Sequence, residues 1–186
     1  AACEDVDDEL TKWKILRSDT LDSIKAEQET LGAQVSDSVS GIFEAYQMLL
    51  CDQSLNDRVA SEIRSGHALL TALKRSTQYF ADVFLSMDDP YLKARHEDIH
   101  HLGNKLYQVW QGGAALASVT THNNDPVILV GSQVSASDIT AVAANKLAGV
   151  ICFEGSALSH TAVLSNALGI PALMGVGDDF RGVQPG

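Results

Sequence analysis

Between Asp5 and Gly112 the apolar residues return at helical intervals. Leu10, Trp13, Ile24 and Leu31 keep roughly to that spacing, and Ile42, Phe43, Tyr46, Leu49 and Leu50 follow the i, i+1, i+4, i+7, i+8 pattern of a buried helix face. Leu92, Ile99, Leu102, Leu106 and Val109 repeat it in a last helix that Gly112-Gly113 ends. Asp37, Asp52 and Asp88 or Asp89 stand where N-caps belong, each before a new periodic run. Roughly four or five helices with short connections predict an antiparallel bundle over residues 5–112.

From Pro126 the pattern changes. Val127 to Val130, Val150 to Phe153 and Pro171 to Met174 are short apolar runs; Ser137 to Leu147 and Thr161 to Leu168 have helical spacing between them. Strands alternating with helices predict βαβ units on a parallel sheet. The predicted fold class is therefore α/β plus α, with a helical subdomain over 5–112 and an α/β subdomain over 113–186. About three strands are few for such a sheet, so further strands are expected before Asp5 and after Gly186.

Composition narrows the partners. The 186 residues suffice for one large domain or two small ones, and 45% hydrophobic with 20% charged residues is ordinary for a globular chain. The formal net charge is −11, and neither half carries the basic stripe that nucleic acid or an anionic lipid surface requires. A basic protein partner fits better. Cys3, Cys51 and Cys152 are odd in number and far apart, which argues against a disulfide framework and suits a reducing cytoplasm.

The chemistry concentrates in Glu154-Gly155-Ser156-Ala157-Leu158-Ser159-His160-Thr161-Ala162-Val163, followed by Leu168-Gly169-Ile170-Pro171. This reads as a strand end, a loop of small residues, and a histidine opening a helix. Helix N-termini offer free N–H groups and partial positive charge to a phosphate, and neutral imidazole is a nucleophile near pH 7. Ser159 and Thr161 flank His160 with hydroxyls able to bond a phosphate or fix the ring. An ordinary polar helix start explains the same spacing.

The stretch GSALSHTAVLSNALGIPALMG resembles the active-site signature of the swivelling phosphohistidine domain of phosphoenolpyruvate-utilising enzymes. GIFEAYQMLLCDQSL (Gly41 to Leu55) and MDDPYLKARHEDIHHLGNKLYQVWQG (Met87 to Gly112) are similar to the helical subdomain of one branch, Enzyme I of the bacterial phosphotransferase system. The resemblance implies that His160 is phosphorylated, with Gly155, Ser159, Thr161 and Thr140 in support. It implies a docking surface for a histidine phosphocarrier protein at Tyr46, Met48, Leu49, Leu55 and Arg95. It further implies a role in sugar transport or its nitrogen-related counterpart, and a separate Mg²⁺-dependent barrel domain that takes phosphate from phosphoenolpyruvate. Mg²⁺ is expected there and no cofactor or metal in this chain. Tyr46-Gln47 leans towards the nitrogen-related paralogue. Ser156 and Ala157 depart from the usual glycine and basic residue of the loop, Asn166 stands where an arginine is usual, and Ile139 where a threonine orients the histidine. Thr140, one position on, serves instead if its helix rotates slightly.

Other features compete. His96-Glu97-Asp98-Ile99-His100 matches the HExxH motif of zinc hydrolases, but both histidines are expected on the solvent side of their helix. His67, His101 and His122 are expected at the surface. Arg95 falls within the apolar stripe of its helix, where it either pairs with Asp98 or Asp89 or contacts a partner. Met48 lies opposite the buried face of its own helix, either packed on a neighbouring helix or anchoring a partner. A phosphoryl carrier is the leading reading; a docking or regulatory module, and a zinc hydrolase at His96 and His100, are the alternatives.

Overall fold

The computed structural model describes residues 5–32, 37–112, 125–132, 134–135, 138–139, 142 and 146–177, without the side chains of residues 30–39. Five helices come first: α1 (Val6–Gly32), α2 (Asp37–Cys51), α3 (Gln53–Arg64), α4 (Leu69–Leu85) and α5 (Pro90–Trp110). Local chemistry sets two of their starts. The Asp52 carboxylate accepts from the backbone N–H groups of Ser54 and Leu55 to cap α3. Asp89 does the same for Tyr91 and Leu92 of α5, where Pro90 fills a first-turn position that needs no donor.

The second half contains β1 (Val127–Gly131), β2 (Leu147–Cys152), α6 (His160–Ala167) and β3 (Ala172–Leu173). The strands form a parallel sheet in the order β1-β2-β3. The expected α/β-plus-α class is what the chain adopts. Two boundaries differ from expectation. The helix expected to reach Leu147 cannot do so, because Leu147 pairs with Val127 and opens β2. Pairing along Leu147 to Gly149 outweighs helical spacing there. The third strand is only Ala172–Leu173; Pro171 has no N–H to give, although its carbonyl accepts from Val150 N–H at 2.9 Å.

One contiguous apolar cluster runs through both halves. Phe43 and Leu50 of α2, Val59 and Ile63 of α3, Leu69 of α4, and Leu102 and Leu106 of α5 are buried in it with Val150 of β2 and Leu164 of α6. Helices α4 and α5 cross closely at Gly103, where a Cβ would come within 3.3 Å of Thr77 Cγ2. That shared core brings α5 beside the loop before His160, and the site is built there.

Candidate active site

The loop between β2 and α6 is held from below by the sheet. Phe153 and Glu154 donate their backbone N–H groups to Gly131 and Ser132, while Val176 and Gly177 donate back to Cys152 and Phe153. Gly155 has φ +101°, a conformation that disfavours a side chain. Opposite it, a Cβ on Gly175 would fall 2.9 Å from the Gly155 carbonyl, so the backbones meet where only glycine fits. Ser159 then caps α6, its hydroxyl oxygen accepting from Ala162 N–H at 3.2 Å. His160 is the first residue of that helix and only 8% exposed.

The imidazole is gripped on both nitrogens by α5. Nε2 lies 2.7 Å from Arg95 Nη1, and Nδ1 lies 2.8 Å from Asp98 Oδ1. The Arg95 Nη1 atom also contacts Asp98 Oδ2 at 2.9 Å, and Nη2 donates to the Leu158 carbonyl at 3.3 Å. A guanidinium can only donate. Nε2 must therefore present its lone pair, which places the ring proton on Nδ1, toward the Asp98 carboxylate. That contact is close but oblique, so neither atom completes a well-aligned hydrogen bond. The Tyr46 ring meets the imidazole edge-on at 5.5 Å. The result is a ring whose lone-pair nitrogen is aimed at a cation.

Behind this first layer lies a buried polar wedge. Asp98 is 2% exposed, and Glu97 and His101 are also buried. The Tyr46 hydroxyl sits 3.4 Å from His101 Nδ1. Burial, reinforced by the Asp98 charge, pushes the Tyr46 phenol above its ordinary range, so it remains a donor. Burial holds His101 below the usual histidine range, so it stays neutral and able to accept. Burial also raises the Glu97 carboxyl, opposed by two hydrogen bonds from Ser156, one from its hydroxyl and one from its backbone N–H.

Several sequence expectations land differently. His101 was expected at the surface and is buried; it stands one turn beyond Asp98 on the same face. His96 and His100 are half-buried rather than solvent-facing, their rings 6.1 Å apart and perpendicular. His96 Nδ1 is engaged with the Lys93 carbonyl, and Glu97, between them, turns away toward Ser156. The described residues contain no group of three His, Cys, Asp or Glu side chains able to hold a metal ion. Thr161 is buried and spends its hydroxyl proton on the Val134 carbonyl. Its hydroxyl ties α6 to the sheet, while that of Ser159 caps the helix. Thr140 lies outside the described residues.

On α2, Met48 is 73% exposed, and Leu49 is half-buried against the core. Tyr46 at 7% and Leu55 at 5% exposed present almost no side chain to a partner, which corrects their place in an exposed docking patch. Each sits on the inward stripe of its helix. Arg95 pairs with Asp98, one of the two acids weighed for it, and reaches His160 as well.

Asp98, Glu97 and His101 surround His160, and sequence reasoning named them only in other roles. A signal existed. With Ala94 they occupy i, i+3, i+4 and i+7, a buried face written in polar residues.

Two family models match the chain: PEP-utilising enzyme, N-terminal, over residues 1–95, and PEP-utilising enzyme, mobile domain, over residues 123–185. A Salmonella typhimurium protein named phosphoenolpyruvate-dependent phosphotransferase system is 35% identical over 138 residues, covering 73% of this chain and 18% of its own length. The phosphoenolpyruvate-protein phosphotransferase of Borreliella burgdorferi is 25% identical over 182 residues, covering 97% of this chain and 31% of its own. Among solved structures, the N-terminal domain of Enzyme 1 - Nitrogen superposes with a TM-score of 0.67 at 27% identity, over 94% of this chain and 71% of that one. The chain spans less than a third of either curated relative. No described helix is long and apolar enough to cross a membrane. With the N-terminal model matching more than half of its residues and the mobile-domain model most of the remainder, the chain belongs to the PEP-utilising enzyme family.

Proposed function

We propose that this chain is the phosphoryl-carrying portion of an Enzyme I-like phosphotransferase, and that Nε2 of His160 is the atom phosphorylated. The observation that carries the reading is the orientation of the imidazole: Nδ1 faces Asp98 and Nε2 faces Arg95 at the N-terminus of α6. The Nε2 lone pair attacks phosphorus, and the bond from phosphorus to the donor's bridging oxygen breaks, with the electron pair leaving on pyruvate enolate. In the onward step the P–Nε2 bond breaks as a histidine nitrogen of the phosphocarrier protein attacks. No proton leaves His160 in either direction, because Asp98 keeps the one on Nδ1. Arg95 turns from the lone pair to the phosphoryl oxygens, and the positive end of the α6 dipole lies at the same residue. Positioning and charge do the work.

The donor step belongs to a barrel domain outside this chain. The Mg²⁺ that such enzymes use does not fit the described residues here, which lack a cluster to hold it, and no step in this chain runs through it. The relative length of the Salmonella and Borreliella proteins supports that division of labour. The net charge of −11, the exposed Tyr91 and Leu158 beside Arg95, and the exposed Met48 on α2 support docking of a basic phosphocarrier, in the cytoplasm. Tyr46-Gln47 and the likeness to the nitrogen-type structure favour the nitrogen-related branch.

The test is labelling with phosphorylated histidine phosphocarrier protein, read by mass spectrometry. The chain should gain one acid-labile, alkali-stable phosphoryl group; His160→Ala should gain none. Phosphoenolpyruvate with Mg²⁺ should not label it. Label on His160→Ala, or label taken directly from phosphoenolpyruvate, overturns the assignment, and an unlabelled wild-type chain would leave a docking module as its role.

A further inference from the structure

The loop before His160 departs from the family pattern at Ser156, and the partner of that departure lies on α5. Glu97 is buried, and no lysine or arginine pairs with it among the described contacts. Its carboxylate instead accepts the Ser156 hydroxyl and the Ser156 backbone N–H. Its Oε2 comes so close to the loop that a Cβ on Gly155 would sit 3.6 Å away. The Ser156 hydroxyl oxygen in turn accepts from Leu158 N–H at 3.3 Å, and the Ser156 carbonyl accepts from Ser159 N–H at 3.2 Å. At its far end the same loop is held by Arg95 through the Leu158 carbonyl. Two residues apart on one helix, a carboxylate and a guanidinium therefore clamp opposite ends of a four-residue loop.

We infer that Glu97 is a positioning residue for phosphoryl transfer, acting through Ser156 to fix Leu158, Ser159 and the imidazole of His160. It touches neither the ring nor the phosphoryl group. The inference rests on the reading of His160 given above, and it gives the glutamate of the HExxH sequence a role unrelated to metal. A buried carboxylate that accepts two donors from consecutive groups of one residue acts as a local substitute for the secondary structure the loop lacks. Glycine at 156, the usual residue, removes the hydroxyl and leaves only the backbone half of the clasp. The neighbours that face Glu97 are Ser156, His96, Asp98 and, across the loop, Cys152. None of them can replace both Ser156 bonds.

The test combines amide hydrogen exchange with a mutant cycle on the full chain. In Glu97→Ala, exchange at the Ser156 and Leu158 amides should accelerate about tenfold or more, while amides of α3 and α4 keep their protection. In Glu97→Gln, which keeps one acceptor and the side-chain shape, acceleration should be smaller. Single-turnover transfer from phosphorylated carrier protein should slow about tenfold in Glu97→Ala, with KM for the carrier unchanged. The Glu97→Ala/Ser156→Gly double variant should be no slower than Glu97→Ala alone, since both act through one link. Unchanged Ser156 exchange in either Glu97 variant, or slowing that multiplies in the double variant, overturns the inference. Failure of the wild-type chain to take label strikes at His160 instead, and the exchange data still decide the clasp. Should Glu97→Ala not fold, Glu97→Gln carries both measurements.

Discussion

Replacing Asp98 by Asn isolates what the carboxylate does for the reacting nitrogen. Asp98 is almost fully buried and touches both His160 Nδ1 and Arg95 Nη1. The substitution keeps volume and one carbonyl oxygen but removes the charge and places an amide NH₂ near a donor. If the oxygen turns to Nδ1–H, the NH₂ confronts Arg95; if it turns to Arg95, the NH₂ confronts the ring proton. Either way one charge-assisted contact is lost, worth about 1.5–3 kcal/mol when well formed. The Nδ1 contact is oblique, so the low end applies, and about 1.4 kcal/mol corresponds to a factor of ten. Asp98→Asn should therefore slow single-turnover phosphoryl transfer about tenfold or somewhat more. Nitrogen-15 spectra of the imidazole at pH 8 should show Nε2 losing lone-pair character as the other tautomer gains population. An unchanged rate together with an unchanged Nε2 resonance would refute the claim that Asp98 selects the tautomer. A slower rate with the tautomer intact would refute it too, and would leave Asp98 acting through Arg95 alone.

Two further outcomes follow from burial and exposure. His101 is held below its usual titration range, so the folded chain binds fewer protons than the unfolded chain below about pH 6.5; its contribution is constant above that pH and lost as pH falls through the window. Urea midpoints should accordingly drop from pH 7.5 to 5.5 more in wild type than in His101→Gln, and equal drops would show that His101 does not carry the linkage. Met48, exposed on α2, should anchor the phosphocarrier, so Met48→Asp should weaken carrier binding about tenfold or more by calorimetry with helical content unchanged; unaltered affinity would place the docking surface elsewhere.

Much of the frame was legible because its causes are local. Asp52 and Asp89 cap their helices using backbone groups two and three residues away, so sequence spacing contains all the needed information. The inward face of α2 and the Ile99, Leu102 and Leu106 part of α5 could be read because apolar residues have one destination, whereas Leu92, expected in the same stripe, is exposed. Leu147 could not be placed, since its strand pairing is decided by Val127, twenty positions earlier. The hydroxyls of Ser159 and Thr161 were visible beside His160, but their work depends on Ala162 N–H and the Val134 carbonyl. A side chain's chemistry is readable from sequence; which neighbour uses it is set by the fold.

Helix α5 shows how that limit operates at a site. Ala94, Glu97, Asp98 and His101 share one face at the spacing that marks a buried stripe when the residues are apolar. Composition argues the other way, because a buried carboxylate is costly unless compensated. The compensation comes from far along the chain: His160 for Asp98, Ser156 for Glu97, and Tyr46 for His101, with only Arg95 supplied locally. Each remote partner lies in the 155–160 loop or on α2, the elements that pack over α5 at its N-terminal half. A face of charged residues at apolar spacing is thus stable only where another segment brings complementary donors to it. His96 and His100, on the neighbouring face, receive no such set, and the pattern that resembles a metal motif dissolves into two half-buried rings flanking a glutamate committed elsewhere. The polar periodicity of α5 and the small-residue loop around His160 are therefore two halves of one requirement: the helix needs the loop's donors to bury its charges, and the loop needs those charges to hold a histidine still.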